Sequence, residues 1–458
     1  MNEAFDIAVI GAGVVGTAIA RDLSRFALKV ALLEARPDIG DEASKGNSAL
    51  MCSGVDVPGG TLERQLVRRG YARYLAEAPA MGLPIRKIGA IMLAWTPEQI
   101  EVLKHELRAA HADGFDATML DAGEIYRRWP SFGGGIQCGL WLPDEAIVDP
   151  FSTVHAYALD ALANGVEVKR SWKVESCERQ GGEWLLHSGT ETLRVRLVVN
   201  AGGLRADQVE AQGGFHDFEI RPRRGQYILL DKPARALLDV IAMPAPTPVT
   251  RGILITPTIF GNVLVGPTAE DVADRDDRRV TEGGLAQLRQ AMAQMVPGLL
   301  EQPVNTIFAG MRPATQFREY QIIPRLDHGW LTVAGIRSTG LSGSLGIAEY
   351  VTEMLVPRIF DAPHKVKLNP ITVPDLAETS TRPWQDAARI AADPAYGEML
   401  CHCERITLGE VRDVLAAPLA PNSLNCLKRR TRAMFGRCQG FYCGARVQAL
   451  LNERIAAG

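Results

Sequence analysis

An apolar run ending at Val9 passes straight into Gly11-Ala12-Gly13-Val14-Val15-Gly16, and a second run, Val30 to Leu33, ends on Glu34. This pattern predicts a strand, a glycine turn, a helix and a second strand closed by an acid. Thr96-Pro97-Glu98-Gln99 reads as a capping box with proline at the first helical position, and Ile100, Leu103 and Leu107 continue it at helical spacing. A further helix is predicted over Thr153 to Ala163. The run Arg196 to Asn200, opening onto Ala201-Gly202-Gly203, reads as a buried parallel strand that returns to the first sheet. From Pro222 to Pro267 the pattern shortens to Gln226–Leu230, Gly252–Thr256 and Val263–Val265, punctuated by Pro and Gly, which predicts an antiparallel sheet. Trp330 to Ala334 and a helix from Ser344 to Leu355 then restore the strand-turn-helix pattern of the beginning.

Two architectures are thus interleaved along the chain. The fold class is α/β, a Rossmann-like domain over 1–85, 145–215 and 325–360, interleaved with an antiparallel-sheet (α+β) substrate domain over 86–144 and 216–324. A proline-rich linker is expected at 361–395, and a small helical domain at 396–458. The stretch Gly40 to Gly60, rich in Gly, Ser and Asp, is too long for a plain connection and is expected to lie over a ligand.

The glycine turn carries specific chemistry. Gly11 permits the tight turn, Gly13 lets backbone approach a pyrophosphate, and Gly16 lets the helix pack on the strand. The helix N-terminus then faces the phosphates. Glu34 stands where a carboxylate accepts both ribose hydroxyls of an adenosine and repels a 2′-phosphate.

Composition adds exclusions. With 458 residues, 47% of them apolar, the chain can bury a large core, and a formal net charge of −3 recruits neither nucleic acid nor an anionic membrane. There is no signal-peptide pattern and no apolar run of the roughly 18 residues that a bilayer demands. A cytoplasmic protein without an integral membrane segment is expected, so its eight cysteines are free thiols or metal ligands rather than disulfides.

Near the C-terminus, Cys401-His402-Cys403 is followed by a Thr407–Glu410 capping box and then by Cys438 and Cys443. Four such thiolates hold zinc or an iron–sulfur cluster, and the tight first pair favours the cluster. His402 points the other way in an extended segment. Lys428, Arg429, Arg430, Arg432 and Arg437 form either a solvated basic face or a set of cations that offsets the cluster's negative charge. Cys138, Cys177 and Cys426 have no partner at metal spacing and read as buried, inert thiols.

With these residues in hand, the chain resembles the FAD-dependent oxidoreductases of the D-amino-acid oxidase and glycerol-3-phosphate dehydrogenase superfamily. It is most similar to the branch that ends in a bacterioferritin-associated-ferredoxin-like 2Fe-2S domain. The resemblance rests on Gly11 to Gly16 with Glu34, Gly46-Asn47-Ser48, Val199 to Gly203, Arg224 to Tyr227, Gly266 to Glu270, Gly310 to Pro313, Gly340 to Ser342, and Lys428 to Cys443. It implies FAD along Gly11, Gly13, Val14, Val15, Gly16, Glu34 and Ala35, then Ser44, Asn47 and Ser48, with Val174, Ala201, Gly202, Gly310 and Arg312 beside it. Gly340, Leu341 and Ser342 are implied at the flavin pyrimidine edge, where donors stabilise the reduced anion. Cys401, Cys403, Cys438 and Cys443 are implied as the ligands of a 2Fe-2S cluster.

Two departures from that family shape the substrate expectation. Relatives that oxidise 2-hydroxyacids or glycerol 3-phosphate often carry a histidine where this chain has Cys52, and a thiol of ordinary pKa is a poor base at neutral pH. The substrate then needs no strong base, or the base comes from elsewhere. Arg337 stands where relatives have Glu or Asn. With Arg312 it offers two guanidinium groups to a carboxylate, although a local ion pair is an equal alternative for Arg337. Tyr227 and Arg251 are weaker candidates. The expectation is a dehydrogenase that takes hydride from a small anionic substrate, a 2-hydroxy acid or an amino acid, and passes electrons through the cluster to an external acceptor or partner redox subunit. Glycerol-3-phosphate oxidation, a zinc-stabilised docking domain and an electron-relay subunit of a larger complex are the alternatives, and an oligomer is compatible with all of them.

Overall fold

The computed structural model describes residues 3–247, 251–378 and 380–456. Its first sheet has eight strands. Glu3–Ile10 lies at the centre, flanked in parallel by Val30–Leu33 and by Glu191–Asn200, and Trp330–Ala334 continues parallel to the far half of the latter. The near half of Glu191–Asn200 pairs antiparallel with Glu183–Ser188 instead, so one long strand serves two neighbours on the same edge. The helices Val14–Leu23, Pro150–Ala163 and Gly340–Leu355 supply the apolar residues that cover this sheet. Ile7, Val9, Ile19, Leu32, Val199, Leu331 and Ile347 form one buried core with them.

The second sheet has nine strands and takes Ala90–Ala94, Arg223–Leu230, Val263–Val265 and Val304–Arg312 among others. Its pairings are antiparallel except at one junction, where Ile241–Pro244 runs parallel to Ala90–Ala94. That junction joins segments far apart in the chain, which no local pattern reveals. A third, three-stranded sheet pairs Ala146–Val148 with both Leu50–Met51 and Ile85–Lys87, and it ties the loop after the glycine turn to the rest of the molecule.

Local signals decide most element boundaries. Thr96 and Thr407 both make the reciprocal capping box. The helix expected from Thr153 begins at Pro150, because Asp149 caps it by accepting from the N–H groups of Phe151 and Ser152. The helix expected from Ser344 begins at Gly340. The strand expected at Gly252–Thr256 is confined to Ile255–Pro257.

Residues 361–378 have little regular structure, yet they are not free. The N–H of Asn369 donates to Asn164 Oδ1 (2.8 Å), that of Val373 donates to the Met81 carbonyl (2.9 Å), and Ala377 is fully buried. The chain then forms a two-stranded ribbon, Met399–Cys401 with Ile406–Thr407, and the helices Leu408–Ala416, Leu424–Thr431 and Gly444–Ala456. Among the described residues no helix is long and apolar enough to cross a membrane.

Candidate active site

A cavity of about 1960 Å³ runs from the glycine turn to the inner face of the second sheet. At its first end the backbone does the work. Gly11 has φ +101°, and a Cβ there would lie 2.5 Å from the Ala201 carbonyl oxygen, while a Cβ on Gly16 would lie 1.9 Å from the Gly11 carbonyl oxygen. Turn, helix and the Ala201 segment therefore close on one another without side chains between them. Gly13 caps the helix with no side-chain hydrogen bond of its own. Ser44, on the following loop, reaches back so that its Oγ accepts from the N–H of Val14 (2.9 Å).

Glu34 closes this end. Its carboxylate accepts from the N–H groups of Ala12 (2.9 Å) and Arg36 (2.8 Å). Burial raises its pKa to about 7 against the pull of those two amides, with Glu42 and Asp41 adding to the rise. The N–H of Trp172 donates to the Glu34 carbonyl, which brings Val174 to the wall.

Along the middle, Gly46 and Gly310 meet backbone to backbone, since a Cβ on Gly310 would lie 1.8 Å from the Gly46 carbonyl oxygen. Gly310 thus holds the loop but does not itself line the cavity. Asn47 spends its amide within the loop, donating to the Ser44 carbonyl and accepting from the N–H of Ala49. Gly340 and Leu341 open the helix Gly340–Leu355, which has no side-chain cap, onto the cavity. Ser342 lies behind them, its Oγ accepting from the N–H of Cys52 (2.9 Å).

The far end is lined by side chains. The Arg312 guanidinium makes only two long hydrogen bonds, to the Thr268 carbonyl (3.3 and 3.4 Å), and no ion pair among the described residues. Burial lowers its pKa, partly opposed by Tyr227. Tyr227 is buried, stacks on Phe308 at 4.7 Å, and has its pKa raised by burial against Arg312 and a Ser48 hydrogen bond. Arg337, by contrast, is partly committed: it donates to the Arg318 carbonyl (2.5 Å) and lies 3.9 Å from Glu63, a local ion pair. Arg251 pairs with Asp56. The Cys52 thiol is held well above its ordinary pKa by burial first and then by Glu145 and Asp56, so it stays protonated at neutral pH.

The four C-terminal thiols meet two by two. Cys403 lies against Cys438, and Cys443 against Cys401. Backbone amides of Tyr442, Gly440 and Phe441 converge on the Cys438 sulfur and lower its pKa. Among the described residues no three His, Cys, Asp or Glu side chains gather as a single metal ion requires. Paired thiols with amides on the sulfur suit two bridged irons, each with two thiolates.

The basic run beside them follows neither expectation for three of its five cations. Arg429, Arg430 and Arg432 are buried in ion pairs. Arg429 and Arg430 both engage Asp38, on the loop behind the glycine turn, and Arg429 also engages Asp41 at 2.8 Å. Arg432 pairs with Glu404 (3.1 Å) and stacks 3.7 Å above Phe260. These side chains dock the thiol-bearing unit on the body of the molecule, helped by Phe435 against Phe151 (5.7 Å). Arg437 pairs with Asp231 (2.7 Å), and Lys428, its pKa lowered chiefly by burial, lies near enough to Cys443 to feel it. Cys138 and Cys177 are half-buried rather than buried.

Residues 6–354 match the FAD dependent oxidoreductase family, and residues 399–453 match the BFD-like 2Fe-2S binding domain. The chain belongs to the FAD dependent oxidoreductase family. Similar proteins include a glycerol 3-phosphate dehydrogenase of Caloramator mitchellensis, 32% identical over 98% of this chain and 94% of that one. One component of the anaerobic glycerol-3-phosphate dehydrogenase of Escherichia coli is 25% identical over 99% of this chain and 89% of that one. Among solved structures, L-alpha-glycerophosphate oxidase from Mycoplasma pneumoniae with FAD bound has a TM-score of 0.75 at 26% identity, covering 81% of this chain and 99% of that one.

As an FAD dependent oxidoreductase with a 2Fe-2S binding domain, the chain has residues that fit both groups. The cradle has no room for a Cβ at Gly11 or Gly16, the helix Gly340–Leu355 presents an uncapped N-terminus, and the thiols stand in pairs. Gly11, Gly13, Val14, Val15, Gly16, Glu34, Ala35, Ser44, Asn47, Ser48, Val174, Ala201, Gly202, Arg312, Gly340 and Leu341 line one cavity with Cys52, Tyr227 and Arg337; Gly310 and Ser342 brace it from behind. Sequence reasoning missed Glu145 and Asp56, which line the same end. No motif marks them, because only the sheet pairing brings residue 145 beside residue 52.

Proposed function

We propose that this oxidoreductase is a dehydrogenase acting on a small anionic substrate, a 2-hydroxy acid or an amino acid, at the carbon that carries the hydroxyl or amine. The observation that carries this reading is Arg312, a half-buried guanidinium on the cavity wall with no acidic partner among the described residues. Leaving a partly desolvated cation unpaired is costly, and a substrate carboxylate relieves that cost through a bidentate pair. Tyr227 holds the adjacent wall, and Ser48 orients its hydroxyl.

FAD, when bound, supplies the two-electron acceptor, and a cluster on Cys401, Cys403, Cys438 and Cys443 supplies a one-electron outlet. That outlet favours an external redox acceptor over oxygen. Cys401 and Cys443 are buried whereas Cys403 is exposed, so the outlet has one accessible side.

Glycerol 3-phosphate is the second reading. It is favoured by the Caloramator mitchellensis relative, whose likeness extends through both the oxidoreductase and the cysteine-bearing regions, and a phosphate suits a free arginine equally well. An anaerobic screen of hydroxy acids, amino acids and glycerol 3-phosphate, followed by flavin bleaching, tests both readings. Bleaching by carboxylates supports the first, bleaching by glycerol 3-phosphate alone supports the second, and bleaching by neither overturns both.

A further inference from the structure

The substrate end lacks an imidazole, and its thiol is protonated, yet an acid stands in register with that thiol. Met51 pairs with Ala146 in the antiparallel ribbon, so Glu145 falls opposite Cys52. Glu145 is 6% exposed and lines the cavity. Its Oε1 accepts from the N–H (3.1 Å) and the hydroxyl (2.5 Å) of Ser53. Its Oε2 accepts no hydrogen bond among the described residues and is not among their buried, unpartnered atoms, so that oxygen is left to the cavity.

We propose that Glu145 is the catalytic base of this site, taking the proton from the substrate's hydroxyl or ammonium group on Oε2 while Ser53 holds Oε1. The inference rests on the functional reading above. In the step, the O–H or N–H bond breaks and its proton passes to Oε2. The C–H hydrogen leaves with its electron pair to the family's two-electron acceptor, oxidised FAD, and the carbon becomes a carbonyl or an imine. Ser53 does for the carboxyl what an orienting carboxylate does for a catalytic histidine: it fixes which oxygen faces the substrate.

The surroundings keep this acid near neutrality. Burial raises its pKa to about 7, Asp56 and Asp144 add to the rise, and the two Ser53 hydrogen bonds oppose it. Cys52 faces it from the opposite strand, Arg251 and Tyr71 from their own segments, and Lys87 is held on Asp144. A base poised near the working pH gives the best balance of ionised fraction and proton affinity. A raised carboxyl is neutral below that value and ionised above it, so activity rises with pH.

The test uses the oxidised holoenzyme and the anionic compound that bleaches its flavin best. Glu145→Gln is expected to slow bleaching by about 10²–10⁴-fold and to erase the acidic limb near pH 7, with KM changed less than about threefold. Glu145→Asp is expected to retain part of the rate. Without substrate, infrared difference spectra across pH 5–9 are expected to show a protonated-carboxyl component that titrates near pH 7 in the wild type and is lost in Glu145→Gln but kept in Glu34→Gln. A flavin bleached at the wild-type rate by Glu145→Gln, with the acidic limb intact, overturns the base alone. A wild-type flavin that no anionic compound bleaches overturns the functional reading, and the base with it.

Discussion

The two ends of the cavity are built on opposite plans. The nucleotide end is made of backbone: Gly11, Gly16 and the Ala201 segment leave no room for a Cβ, and nearly all of it lies between Gly11 and Ser44. The substrate end is made of side chains that reach it from separate segments, Cys52, Glu145, Tyr227, Arg251 and Arg312. A site made of backbone holds a constant ligand and tolerates no change. A site made of side chains can exchange one group for another without moving the backbone that carries it.

The contrast is broken most severely at Gly16. Alanine there would put Cβ 1.9 Å from the Gly11 carbonyl oxygen, so the turn must open, at a cost of about 1–3 kcal/mol or more. Purified Gly16→Ala is expected to carry less than about a tenth of the wild-type flavin per chain, read from visible absorbance, because the phosphate cradle loses its shape. Gly283→Ala, where a Cβ meets nothing within 4 Å, is expected to keep its flavin in full. Equal flavin in both variants would mean that the cradle is not what holds the cofactor.

At the other end, Arg312→Met is expected to leave flavin content unchanged and to raise KM for the anionic substrate by about a hundredfold, the worth of a buried charge-assisted pair. Arg312→Lys keeps the charge without the fork and is expected to recover about a tenth of that loss. Unchanged KM in Arg312→Met would move the anion site to another arginine of the wall. Arg337 is the weaker choice, since it already serves the Arg318 carbonyl and Glu63.

The same contrast explains what the sequence made legible. The glycine turn, the strands Val263–Val265 and Trp330–Ala334 and the two threonine capping boxes were readable because each is a short-range pattern. The start at Pro150 was signalled by Asp149 beside a proline, a cap that the apolar periodicity alone passes over. Four-residue spacing likewise misses the glycine-rich first turn of Gly340–Leu355, which has no side-chain cap to announce it. Glu145 and the partners of Arg429, Arg430 and Arg432 were not readable at all. Their meaning lies in contacts with Cys52, Asp38 and Glu404, which only the tertiary fold supplies.

Those arginines connect the thiol-bearing unit to the loop behind the nucleotide end, so the two regions can be uncoupled. Asp38→Asn leaves Arg429 and Arg430 buried without their shared anion, and breaking a buried pair from one side costs about 3–5 kcal/mol. Substrate-driven flavin bleaching is expected to persist, while electron delivery to the cluster slows about tenfold and protease cleavage within 361–395 quickens. An intact transfer rate in Asp38→Asn would show that the stacked Phe151 and Phe435 and the Arg432–Phe260 contact suffice to dock the unit.

The smallest expected effect sharpens the comparison from the nucleotide side, where the Glu34 carboxyl accepts from the N–H groups of Ala12 and Arg36. Its pKa is raised to about 7, mainly by burial, so without cofactor the carboxyl is neutral over much of the range between its ordinary value and pH 7. The sign follows directly: the neutral form's contribution to stability is full below about pH 4.5 and is lost as pH rises through 7. Ribose hydroxyls donate best to the charged form, so FAD affinity is expected to strengthen up to about tenfold between pH 6 and 8, as a hydrogen bond to a charged acceptor is worth about 1.5–3 kcal/mol. Glu34→Gln is expected to bind FAD about fivefold more weakly at pH 8 and to show no slope through pH 7, because its amide keeps an acceptor but cannot gain charge. Fluorescence titration of the apoprotein with FAD measures both. A slope that survives the substitution would assign the titration to Glu42 or Asp41 and leave Glu34 a purely structural brace for the N–H groups of Ala12 and Arg36.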